Sequence, residues 1–189
     1  MSAGRIAMET DLFAELARTR QQRDVMEKLR CAGVPRWALT TPLGINCGFG
    51  VDRFDVRQDG TYQLSETGPG AIIMVVMEHN DLADLLAWRL LEPGRWWLRR
   101  GLGVFLGEEA VGRAAFLHEP LAVYRSPLSW LRGGCDGAVV LDWRFAQSML
   151  LEVSEIVAED LAHGEEIERR LRERAPAPPR ITVKIGEAA

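Results

Sequence analysis

The chain has 189 residues, 47% of them hydrophobic and 26% charged, and a net charge of −4. That is the make-up of a globular protein long enough for one sizeable core, and it excludes a disordered chain. All but two of the 23 cationic side chains are arginine, the exceptions being Lys28 and Lys184, yet the net negative charge gives no general attraction to nucleic acid.

No apolar run reaches the roughly 18 to 20 residues that a bilayer requires. The N-terminal stretch is charged and amphipathic, unlike a secretory leader, so a cytoplasmic location is expected. Cys31, Cys47 and Cys135 are widely spaced and form no CxxC pair. They read as buried free thiols rather than as a disulfide framework or a zinc site.

In chain order, residues 8 to 31 carry apolar positions at helical spacing on either side of a polar RTRQQRD stretch. A helix is expected there, broken or solvent-crossing in the middle and ended by Gly33 and Pro35. The glycine-rich TTPLGINCGFGVD follows, with neither GxxxxGK[ST] nor GxGxxG, so its glycines read as turns. RFDVR, QDG and TYQLS form a β-hairpin pattern over 52 to 65. AIIMVVM is short enough for a buried strand. Leu82, Leu85, Leu86 and Leu90 then give DLADLLAWRLL one apolar face, which predicts a helix over 81 to 91 with Asp81 as its cap.

Further on, a helix is expected from Gly107 to Phe116, a strand over 121 to 124 and a short helical turn over 127 to 131. AVVL is a second buried strand. Asp142 sits at a cap position before a long helix predicted over 143 to 162, from Ala146, Met149, Leu150, Val153, Ile156, Val157 and Leu161. A short charged helix, EEIERRLRER, comes after Gly164 and is read as a solvated face with i,i+4 ion pairs. Residues 1 to 175 read as one domain. Residues 176 to 189 read as a proline-rich linker and a tail whose ITVKI suits an edge strand.

The expected fold is therefore α+β or α/β: a mixed sheet of four to six strands covered by about three main helices, near 8 to 31, 81 to 91 and 143 to 162. Two segments, MVVMEHNDLADLL and AVVLDWRFAQSML, each show an apolar strand, an acidic residue at its end and a helix. Were the two strands neighbours, Glu78, His79 and Asp142 would meet as catalytic groups, and Glu78, Asp81 and Asp142 as ligands for a divalent metal. Metal-assisted phosphoester hydrolysis would follow. The plainer account makes Asp81 and Asp142 caps, and Glu78 and His79 turn residues.

Arg95, Trp96, Trp97, Arg99 and Arg100 form a second cluster. Arginine forks and stacking tryptophans suit nucleic acid or a protein partner, and core packing with solvated arginines suits the same pattern. Cys47 with His79 or His118, and Cys135 beside Asp136, are nucleophile candidates that no spacing brings together. Since each polar group has a structural explanation, the leading expectation is a protein-interaction or structural module that self-associates. A small metal-dependent hydrolase and a nucleic-acid binder follow it, and no cofactor is specified.

Overall fold

The computed structural model describes residues 3–19, 23–40 and 49–173. Three helices open the chain: α1 (Ala3–Arg18), α2 (Arg23–Cys31) and α3 (Arg36–Thr40). An antiparallel sheet follows, made of β1 (Phe49–Val56), β2 (Tyr62–Leu64), β3 (Gly70–Glu78), β4 (Asp81–Arg89) and β5 (Glu92–Leu98) in the order β2-β1-β3-β4-β5. The rest alternates: β6 (Phe105–Leu106), α4 (Glu108–Leu117), β7 (Leu121–Tyr124), α5 (Pro127–Arg132), β8 (Ala138–Val140), α6 (Trp143–Leu150), β9 (Ile156–Ala158) and α7 (Leu161–Glu173). Its sheet has the order β6-β8-β7-β9, with β7, β8 and β9 parallel and β6 antiparallel.

The single mixed sheet with about three covering helices is thus corrected to two sheets and, among the described residues, seven helices. Three apolar layers hold them. One lies between the sheets, where Met74, Val76, Leu86 and Trp88 meet Leu106, Val139 and the α5 residues Leu128, Trp130 and Leu131. A second covers the far face of the five-stranded sheet, where Leu12 of α1 packs with Phe54, Tyr62, Ile73, Val75 and Leu85. The third packs α4, α6 and α7 on the other face of the four-stranded sheet. Because β3 has a core on both faces, its sequence is an unbroken apolar run rather than an alternation.

Two helices expected from the sequence are not there. In place of a helix over 81 to 91 stand strand β4, over Asp81–Arg89, and the turn to β5; a two-residue turn in which His79 and Asn80 have φ of 51° and 66° joins β4 to β3. Two successive left-handed residues suit the twist of a tight hairpin. The helical period has a specific cause. A bulge opposite Val76 and Met77 inserts one residue into β4, so Leu82 and Leu85, three apart, face the same layer. Leu86 then faces the other layer, and the i, i+3, i+4 pattern is complete without a helix.

Residues 143 to 162 divide into α6, the parallel edge strand β9 and the start of α7. Ile156 and Ala158 pack inward while Val157 is half exposed, the alternation of an edge strand. Residues 8 to 31 likewise hold two helices, α1 and α2. The hairpin, the buried strands over 71 to 77 and 138 to 140, β7, α4 and α5 form where the sequence places them. Cys31 is a free, exposed thiol, but Cys135 is disulfide-bonded, which corrects the expectation of free thiols. The glycine-rich segment at 41–48 with Cys47, and the tail over 176 to 189, lie outside the described residues.

Candidate ligand-binding cleft

The alternation β7-α5-β8-α6-β9-α7 determines where side chains gather. β8 lies on one side of β7 and β9 on the other, so the chain reverses direction across the sheet at β7. α5 packs toward the five-stranded sheet, whereas α6 and α7 pack on the opposite face. Loops that leave neighbouring parallel strands toward opposite faces open a crevice at the strands' carboxyl ends.

Each strand end there runs straight into a capped helix. Ser126 accepts the Ser129 N–H at 3.1 Å to start α5, and Pro127 sits in its first turn. Asp142 accepts the Arg144 N–H at 2.8 Å, the cap role expected for it, and the Arg144 guanidinium also grips its carboxylate. Asp160 accepts the His163 N–H at 2.8 Å at the start of α7. All three helix starts are therefore satisfied by the chain itself. Gly137, just before β8, has φ of 106°, and a Cβ there would meet the Ala122 carbonyl at 2.4 Å, so only glycine fits where β7 and β8 come together.

Between the ends of β7 and β9 lies a charged knot. The Arg125 N–H donates to Glu159 at 2.8 Å, and its guanidinium donates to Asp160 at 2.7 Å. The Glu159 N–H donates to Nδ1 of His163 at 3.3 Å. That bond uses the Nδ1 lone pair and leaves Nε2 as the protonated nitrogen of a neutral ring. Burial, with Arg125 nearby, holds the His163 pKa below its ordinary value of 6.5, while the surrounding carboxylates oppose the shift. Asp160 is held below the usual carboxylate range by the His163 N–H and by Arg125.

Beside this knot is a cleft of about 440 Å³. Val123, Tyr124 and Arg125 from the end of β7, Leu141 and Trp143 after β8, His163, Glu166 and Arg170 from α7, and Trp96 from β5 line it. Its volume lies within the range of small-molecule sites. Two of its charges, Glu166 and Arg170, lack a hydrogen bond or ion pair among the described residues, and Arg170 Nε is buried with no acceptor. Four residues apart on one helix, a glutamate and an arginine normally pair.

The residues singled out from the sequence fall elsewhere or divide. β3 and β8 belong to different sheets, so their ends are not neighbours in one sheet. Glu78 accepts the Val104 N–H at 3.1 Å, and the Val104 carbonyl accepts from Leu141 and Asp142. Glu78 and Asp142 thus lean on the same main-chain residue, and each carboxylate already has a donor. His79 is exposed in the hairpin turn, and its N–H donates to Glu108 at 2.8 Å. Asp81 starts β4 instead of capping a helix. Among the described residues, no three His, Cys, Asp or Glu side chains are grouped to hold a metal ion.

The Arg/Trp cluster is split by strand alternation. Trp97 is buried beside Phe54, with Arg89 and Arg95 over its ring at 5.6 and 5.0 Å. Trp96 points to the other side, packs on the layer between the sheets and reaches the cleft. Arg99 and Arg100 pair with Glu15 and Asp11 of α1.

In β4, buried Asp84 accepts N–H groups from Leu85 at 2.7 Å, Arg100 at 3.0 Å and Leu102 at 2.8 Å. It pins the segment that leads from β5 to β6. Burial raises its pKa and the N–H donors oppose that rise.

His163 and Arg125 were not selected from the sequence, and Glu166 and Arg170 fall in EEIERRLRER, where i,i+4 pairing forms between Arg169 and Glu173 and between Glu168 and Arg172 but not between these two. His163 is one of three histidines in the chain and lies four residues after Glu159. That was the available signal, hidden by the single long helix drawn through this region. No helix among the described residues is long and apolar enough to cross a membrane. No protein-family model matches the chain, and neither a curated protein nor a solved structure matches it.

Proposed function

We propose that this protein is a small-molecule-binding module whose ligand occupies the cleft at the carboxyl ends of β7 and β8. The observation that carries this is Arg170: a buried guanidinium nitrogen without an acceptor, in a cleft lined by Trp96, Tyr124 and Trp143. A buried donor without a partner costs roughly 1 to 3 kcal/mol, which a ligand carboxylate or phosphate oxygen restores. The aromatic walls suit a flat or apolar body on the same ligand. Fold placement alone names no ligand.

The carboxylates that suggested metal-dependent hydrolysis are engaged by Val104 and Arg144. The arginines that suggested nucleic acid are largely tied to α1. Both features favour binding by the cleft over those alternatives.

Saturation-transfer NMR with a panel of aromatic carboxylates and nucleoside monophosphates tests this. Binding that Arg170→Met and Trp143→Ala each weaken at least tenfold, in variants that still unfold cooperatively and keep the wild-type fold by circular dichroism, is the expected result. Binding indifferent to both substitutions, or none across the panel, overturns it.

A second reading, self-association, is favoured by Phe116 of α4 and Phe145 of α6, which are 83% and 60% exposed. Sedimentation velocity should then show a dimer that Phe116→Ser with Phe145→Ser converts to monomer. A wild-type monomer at high concentration removes this reading.

A further inference from the structure

The two unpaired charges of the cleft have opposite sign. Glu166 and Arg170 stand one turn apart on α7, both line the cleft, and neither makes a hydrogen bond or ion pair with another described residue, Glu166 reaching His163 only through its field. The other charges around the site are already matched: Arg125 with Asp160, and Arg144 with Asp142. Glu159 accepts the Arg125 N–H. A dianion such as a nucleotide phosphate would meet Arg170 but also Glu166 and Glu159. A simple cation would meet Glu166 but also Arg170. A ligand carrying both signs a few ångströms apart satisfies both groups and leaves the balance of charge unchanged.

Resting on the reading of this cleft as a ligand site, we propose that its ligand is a free α-amino acid with an apolar or aromatic side chain. Its carboxylate meets the Arg170 guanidinium, its ammonium group meets Glu166, and its side chain lies against Trp96 and Trp143. Arginine recognises a carboxylate through parallel N–H donors, and a buried Nε supplies one of them. Trp96 comes from the five-stranded sheet and Trp143 from the start of α6, so the apolar end of the ligand contacts both sheets' surroundings at once.

Isothermal titration calorimetry on the full chain, with L-phenylalanine, 3-phenylpropionate and phenethylamine, tests this. The three share a ring and differ in whether they carry both charges or one. Phenylalanine should bind at least about tenfold more tightly than either analogue, because each lacks one charge-assisted contact. Glu166→Gln should remove the advantage over 3-phenylpropionate while leaving 3-phenylpropionate binding unchanged. Arg170→Met should remove the advantage over phenethylamine in the same way.

If either analogue matches phenylalanine, the zwitterion is overturned while the cleft remains a ligand site. The same holds if none of the three binds but a nucleoside monophosphate does, in an Arg170-dependent way. If none binds and the wider panel is also empty, both proposals fall together.

Discussion

Two places in the molecule handle charge in opposite ways. In the antiparallel half, Asp84 is ringed by three backbone N–H donors, and buried Glu15 takes both bonds from Arg99 Nε at 2.8 and 2.9 Å. Those charges are fully answered from within and tie distant parts of the chain together. In the parallel half, Glu166 and Arg170 sit at the strand ends with nothing among the described residues to answer them. A buried charge with its partners in place acts as a fastener, and one without them is available to a ligand. The difference follows from topology. Hairpins return each strand beside its neighbour and close the sheet, whereas parallel strands leave all their carboxyl ends on one side with loops diverging from them.

Breaking the fastened half should cost most. Arg99→Met leaves the Glu15 carboxylate buried without its cation and should destabilise the protein by about 3 kcal/mol, the lower end for a broken buried pair. Urea denaturation reads this directly, and a loss below 1 kcal/mol would show that Glu15 finds water instead.

Asp84→Asn comes next, at about 2 kcal/mol, because one oxygen that accepts the Leu102 N–H becomes an NH2 group. The same variant carries a pH signature. The Asp84 pKa is raised in the fold, so its contribution is fully present below the ordinary 3.8 and declines as pH rises through the folded value. Asp84→Asn should flatten that decline.

Asp142→Ala removes the cap of α6 and should cost about 1 kcal/mol. If the cost exceeds 3 kcal/mol, the carboxylate's grip on the Arg144 guanidinium contributes beyond the cap. A pH titration separates the halves further. His163 has a folded pKa below 6.5, so the stability from its neutral ring is fully present above 6.5 and is lost as pH falls through the folded value. His163→Gln should remove that acid-side loss, and an unchanged pH profile would place the titration elsewhere. The smallest expected effect on stability is in the cleft. Glu166→Gln should change it by less than about 0.5 kcal/mol, since it removes no hydrogen bond or ion pair made within the described fold, whereas Arg170→Met removes a buried donor without an acceptor and should raise stability by up to about 1 kcal/mol. A large loss from either would assign that residue to the fastened class.

Several elements were legible because their signals are local. The QDG turn between alternating residues, the apolar run of β3, Pro127 after Ser126, and Asp142 before α6 each specify structure within a few residues. The β4 strand was not legible, because a bulge changes the spacing of its apolar residues and only the pairing with β3 reveals the bulge. The long helix through residue 162 failed for a related reason. From α6 into edge strand β9, Ala146, Met149, Leu150, Val153 and Ile156 pack on one common layer and so continue a helical period across the break, while Val157 and Leu161, which seemed to extend it, are exposed.

The acidic residue at the end of the AVVL strand marked a strand-to-helix junction, whose neighbours Leu141 and Trp143 line the cleft. Its proposed companion at Glu78 stands at a hairpin in the other sheet.

By itself the sequence determined what depends on near neighbours: which segments are apolar, where turns and caps fall, and that the chain contains βα units. The tertiary structure decided which strands are adjacent, which of two faces each side chain reaches, and which charges lack partners. Those properties depend on contacts such as Arg99 with Glu15, 84 residues apart in the chain. No local spacing encodes them, because they are set by the packing of whole elements against one another.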